Sequence, residues 1–194
     1  MKRASLALLA ALLAPPAFAQ SAQAVIDAGV GANSQGRIAI NQAAGVGNAQ
    51  ANLAALAHAQ EGLGLADTHS DQRAANTHRA VAADAAIGAG AFDGVSGAFS
   101  LNQAAGDSNL QLNTLSIGSG GGSLIALADD AALADTATTG TSTEGAATAT
   151  PDRRAVIDLD AFRGGQGVVQ VNQTAGVGNL STNAIVLQLP GSTP

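Results

Sequence analysis

Three stretches of the chain alternate apolar and polar residues over short runs and break at the same kind of turn. The first runs are "RIAINQ" (37–42), "AFSLNQ" (98–103) and "VVQVNQ" (168–173), each with Gly in front and a small residue then Ala-Gly behind. Alternation over so few residues predicts strands. The breaks read "AGVGN", "AGDSN" and "AGVGN", and Gly and Asn there predict a tight turn, because both adopt positive φ at little cost. A second run follows each turn: "AQANLAAL", "LQLNTLSI" and "LSTNAIVL". The alanine-rich first copy would also suit a helix. The β-branched and polar third copy does not, and one repeat should take one structure.

Aligned without gaps, the units span 36–56, 97–117 and 167–187, each 21 residues long. A leading Gly, an Asn-Gln pair, an Ala-Gly pair and two Asn four apart occur in every copy. Parity along the strands sorts the side chains. Ile38, Ile40 and Gln42 share one face with Asn48, Gln50, Asn52, Ala54 and Leu56 beyond the turn. Phe99, Leu101, Gln103, Asn109, Gln111 and Asn113 repeat that face, as do Val169, Val171, Gln173, Asn179, Ser181 and Asn183. The other face varies, apart from Asn41, Asn102 and Asn172. The constant face is therefore expected to point inward.

Identical amides at identical places acquire a purpose if the units stack. A Gln or Asn carries both donor and acceptor, so copies about 4.8 Å apart form a continuous ladder, as in cross-β assemblies. An isolated buried amide is costly, whereas a laddered one is satisfied along the stack. The candidate assembly ladder comprises Ile40, Asn41, Gln42, Gly45, Asn48 and Asn52 in the first unit. Leu101, Asn102, Gln103, Gly106, Asn109 and Asn113 form it in the second, and Val171, Asn172, Gln173, Gly176, Asn179 and Asn183 in the third. The fold class expected is all-β: a short β-solenoid or cross-β core with open edges that offer a template to the next molecule.

The flanking segments are read as accessories. Residues 1–19 have a positive start, an apolar run and an "AFA" ending, the pattern of a secretory signal peptide cleaved after Ala19. A lead segment (20–35), two spacers (57–96 and 118–166) and a tail (188–194) complete the chain. The spacers are expected to be long loops with a helical turn or two around 74–86, a short helix at "LIALADDAALAD" and flexible linkers at "GSGGG" and "TATTGTSTEGAATATP".

Composition narrows the function. Without its leader the chain has six arginines, no lysine and fourteen acids, a formal charge of −8, which leaves no footprint for nucleic acid. No later segment reaches the roughly 18 apolar residues of a membrane helix, so no membrane span is expected after cleavage. There is no cysteine, aromatics are 2%, and much of the 46% hydrophobic fraction is alanine. A repeated modest contact fits this composition better than a jigsaw core. His58, His69, His78, Asp67 and Asp71 lack metal-ligand spacing. "GSGGG" is not followed by Gly-Lys-Ser/Thr, no GxSxG elbow occurs, and "NQT" at Asn172 has "NQA" siblings. No enzyme, cofactor or metal is expected.

The repeat resembles that of Fap-type functional amyloid fibril subunits and, more distantly, that of curlins. The likeness rests on Asn41, Ala44, Gly45, Asn48, Gln50 and Asn52 and on their counterparts in the other two units, with Ser181 standing where the pattern has Gln. Three imperfect repeats behind a signal peptide, separated by variable linkers, extend it over the whole chain. The resemblance implies a secreted, non-enzymatic protein that passes through the periplasm and an outer-membrane export machinery to the cell surface. There it would assemble with itself or related fibre subunits, or nucleate them, in biofilm matrix and surface adhesion. The alternative is a monomeric β-solenoid adhesin that binds a surface or ligand through its spacers.

Overall fold

The computed structural model describes residues 21–73, 81–129 and 151–190, with Leu124 described by its backbone alone. The signal peptide expected at 1–19, His78 and the "TATTGTSTEGAATAT" segment lie outside the described residues. Among the described residues eleven strands form three successive layers. The first holds β1 (Ala22–Ile26), β2 (Gln35–Ala44), β3 (Ala49–His58) and β4 (Leu63–His69). The second holds β5 (Ala83–Ile87), β6 (Ser96–Ala105), β7 (Leu110–Gly120) and β8 (Ser123–Asp129). The third holds β9 (Arg153–Ile157), β10 (Gln166–Ala175) and β11 (Leu180–Pro190).

Strands pair between layers. Four parallel sheets result, in the orders β1-β5-β9, β2-β6-β10, β3-β7-β11 and β4-β8. The register places like on like: Asn41 on Asn102 on Asn172, Gln42 on Gln103 on Gln173, and Asn52 on Asn113 on Asn183. The all-β, stacked architecture expected from the repeat is thus the one observed. Parallel pairing needs long connections, which the chain between successive layers supplies.

Among the described residues there is no helix, which corrects the helical reading of the spacers there; 74–80 and 130–135 lie outside the described residues. Residues 83–86 of the first alanine-rich segment lie in β5, and 124–129 of the second lie in β8. The "GSGGG" linker is corrected too, since Gly118–Gly120 ends β7. Alanine is the best helix former in isolation, but here each short run adds to a sheet whose small side chains pack closely. Ala22, Ala24, Ala83 and Ala85 form a buried seam against Ala105.

The layer is therefore longer than the 21-residue unit, because each begins with the extra strand β1, β5 or β9. Eight residues then arch back to the next strand (27–34, 88–95 and 158–165). These arches also stack: Asn33 N–H donates to Asp93 O at 2.7 Å, Phe92 N–H to Val30 O at 2.8 Å, and Gly94 N–H to Arg163 O at 2.8 Å. Phe92 and Phe162 take left-handed φ of 58° and 61°, a conformation costing an L-residue about 1–2 kcal/mol. Packing holds them there. Phe92, Phe99 and Phe162 have ring centroids 4.6–5.5 Å apart; the first two are buried with Ile26, Ile87, Val95 and Leu101, and half-buried Phe162 packs against them. Gly31 makes room for this cluster, since a Cβ on it would lie 2.5 Å from the Phe92 ring.

Candidate functional site

The central sheet, β2-β6-β10, is covered on both faces. On one side Gln42 donates to Val25 O at 2.8 Å, Gln103 to Ala24 O at 3.1 Å and Ala86 O at 2.9 Å, and Gln173 to Ala85 O at 3.2 Å and Val156 O at 2.9 Å. This column bolts the short outer sheet onto the central one. On the other side Asn52 donates to Asn41 Oδ1 at 2.8 Å, Asn113 to Asn102 at 2.9 Å and Asn183 to Asn172 at 2.9 Å.

The single inward face expected from parity is corrected by this arrangement. β2 and β3 belong to different sheets that face each other across the turn, so Asn41 meets Asn52 while Gln42 points the opposite way. The "loose" face of the first run is interior as well, and this is why its one constant residue is an Asn.

Along the stack the amides form continuous ladders. Gln103 donates to Gln42 and Gln173 to Gln103, both at 2.8 Å. Asn102 donates to Asn41 and Asn172 to Asn102, both at 3.0 Å. Asn113 donates to Asn52 at 2.8 Å and Asn183 to Asn113 at 3.0 Å. At the turn, Asn109 donates to Asn48 at 3.0 Å and Asn179 to Asn109 at 2.7 Å, and the backbone N–H of each upper Asn reaches the same oxygen. All four ladders run in one sense, from layer 3 through layer 2 to layer 1.

Burial grades the layers. Asn102, Gln103, Asn109, Gln111 and Asn113 in the middle are each 0% exposed, while Gln42, Asn48, Asn52, Gln173, Asn179 and Asn183 are half-buried and Asn41 is exposed; Asn172 of the third layer stays buried beneath Ser181. Ile40, Leu101 and Val171 stack in the cluster that holds the phenylalanines. At the turns Gly45, Gly106 and Gly176 have φ of 114°, 106° and 139°. A Cβ on Gly45 or Gly106 would run into the Gly carbonyl of the layer above. So the ladder residues picked from the sequence occupy adjoining columns in three stacked copies.

Several contributors lie outside the candidate ladder, although parity already places Gln50 and Gln111 on its repeated face. Gln50 donates to Gln111 at 2.6 Å and Gln111 to Thr174 Oγ at 3.2 Å, a fifth ladder of opposite sense that ends where Ser181 replaces Gln. Ser181 instead donates to Asn172 Oδ1 at 2.6 Å. Asp107, 1% exposed, accepts from Val46 N–H across layers at 2.8 Å. Arg163 reaches Asp93 in the layer below at 3.3 Å, and that hydrogen bond, then the charges of Asp93 and Asp160, raise the guanidinium pKa. Burial alone lowers that of Arg37. The missed outer strands did leave a signal: Ala24-Val25-Ile26-Asp27 recurs as Ala155-Val156-Ile157-Asp158.

Among the described residues no cluster of three or more His, Cys, Asp or Glu could hold a metal. His69 and Asp129 form an exposed pair at 3.3 Å. No helix there is long and apolar enough to cross a membrane. The chemistry on display is backbone and amide hydrogen bonding, repeated at fixed spacing and left open at both ends. No solved structure matches the chain. A family model does match, over residues 10–190, and with its repeats stacked in this way the chain belongs to the functional amyloid protein FapB/FapC family.

Proposed function

We propose that this chain is a secreted structural subunit whose layers stack on those of other copies to build extracellular amyloid-like fibres of a biofilm matrix. The observation carrying this reading is the contrast between layers. The middle one has every ladder amide sealed between identical neighbours, whereas the outer two present the same amides and strand edges with one neighbour missing. Another copy supplies that neighbour with no new chemistry. Cross-β stacking satisfies each backbone and amide group through the chain above and below. The ladder residues act in assembly by selecting register, and the mechanism is templated strand addition.

Family membership supports the amyloid class. The leader supports export through the periplasm and an outer-membrane machinery, with adhesion as a property of the finished fibre. Related subunits with the same columns are further partners. The purified chain without its leader should convert to dye-binding, β-rich fibres with a reflection near 4.8 Å. Preformed fragments should abolish the lag. A chain that stays monomeric at high concentration and ignores seeds would sink the proposal and leave the adhesin reading.

A further inference from the structure

We infer that the two open faces of the stack are complementary to each other and not to themselves, so copies add head to tail, layer 3 of one under layer 1 of the next. This rests on the fibre reading and adds direction to it. The four ladders through Gln42, Asn41, Asn52 and Asn48 all donate toward layer 1 and accept on the side of layer 3. The layer 1 face therefore carries the donor ends of these columns, and the layer 3 face carries acceptor ends at Gln173, Asn183 and Asn179, while the oxygen of Asn172, 3% exposed, already accepts from Ser181 and Asn183. Joining layer 3 to layer 1 continues the columns through Gln42, Asn52 and Asn48 in the sense they have inside the chain, while the opposed Gln50 and Gln111 column ends at Thr174. Joining like faces sets donor against donor. A contact between two different faces that does not close on itself generates an open, polar filament.

Two glycine columns bear on the same junction from opposite sides. A Cβ on Gly97 would strike Gly36 O, and one on Gly167 would strike Gly97 O, so this column points toward layer 1. Its last member, Gly36, has nothing within 4 Å. The turn column points the other way, Gly45 at Gly106 O and Gly106 at Gly176 O, and Gly176 ends it buried beneath the Arg153 side chain, whose Cδ would lie 3.3 Å from a Cβ there, with no carbonyl above. Positive φ (97° and 139°) favours glycine at both ends. In the head-to-tail junction space demands it too: Gly36 meets Gly167 O of the copy below, and Gly176, once the flexible Arg153 side chain swings aside, meets Gly45 O of the copy above. Each end residue thus guards one face.

Small doses of Gly176→Val chain in growing wild-type fibres should dock through their intact layer 1 face and stop one end of every labelled seed. Gly36→Val chain should stop only the other end. Either variant stopping both ends overturns the polarity.

A second test leaves the interior untouched. The chain has no cysteine, and Gln23 and Arg154 are exposed members of one column, each paired with Asp84. Within a chain they are two layers apart, about 9.6 Å, too far for a disulfide, whereas across the junction they are about 4.8 Å apart and within reach. Fibres grown from equal amounts of full-length Gln23→Cys and Arg154→Cys chains, then oxidised, should yield 23–154 cross-links between copies. Predominant 23–23 or 154–154 links would overturn the inference while leaving the fibre reading intact; failure of wild-type chain to form fibres would strike that reading first.

Discussion

Gln103 shows what one residue does in this protein. Its amide nitrogen serves Gln42 Oε1, Ala24 O and Ala86 O, and its oxygen receives Gln173, all at 0% exposure. Gln103→Leu strips those acceptors of their donor and should cost about 1–3 kcal/mol, the penalty for buried groups left unmade. Gln42→Leu, at the open face, should cost about 1 kcal/mol or less in the isolated chain. Denaturant titration of the soluble chain compares the two, and equal losses would contradict the layered burial. Glycine supplies a second pair. Gly29 and Gly31 share a φ of 70°, but only Gly31 lies against the Phe92 ring. Backbone strain then cancels in the comparison, and Gly31→Ala should cost about 1–3 kcal/mol more than Gly29→Ala through overpacking alone. Thermal unfolding of both variants reads the difference.

At the scale of the element, alanine turns out to set the spacing between sheets. Ala24 and Ala85, 2% and 0% exposed, let the outer sheet come close enough for the Gln42, Gln103 and Gln173 column to reach its carbonyls. Ala85→Leu should cost about 1–3 kcal/mol and speed exchange of the Gln103 side-chain amide, measurable by NMR. An unchanged exchange rate would detach the seam from the ladder. The same chemistry explains what could be read in advance. The runs 37–42, 98–103 and 168–173 were legible as strands because alternation and turn residues coincide in three copies. β1, β5 and β9 were not, because AQAVI, ADAAI and RRAVI are each only five residues long, too short to show a period, and gain stability from the layer beside them. The pairing of Asn41 with Asn52 was hidden for a related reason. Parity assigns faces within a strand, but not which sheet each face meets.

For the whole molecule, stability and assembly draw on one interaction. On the proposed function, the contact that the repeats make between layers 1 and 2, and again between layers 2 and 3, is the one offered to another copy, so changes to the ladders should act on fibres as they act on the chain. Replacing Gln42, Gln103 and Gln173 together by Leu should slow seeded growth and blur the preference for seeds of the same sequence. Unchanged kinetics in a dye-binding assay would remove that column from the mechanism. Three layers per chain also fix the axial arithmetic. At about 4.8 Å per layer, one copy advances the fibre by about 14 Å. Diffraction from aligned fibres of the leaderless chain tests this most directly. A meridional series indexing on about 14 Å, with its third order near 4.8 Å, is the predicted result. A cross-β pattern with no axial repeat beyond about 4.8 Å, or no cross-β pattern, would contradict the stacking of intact three-layer subunits.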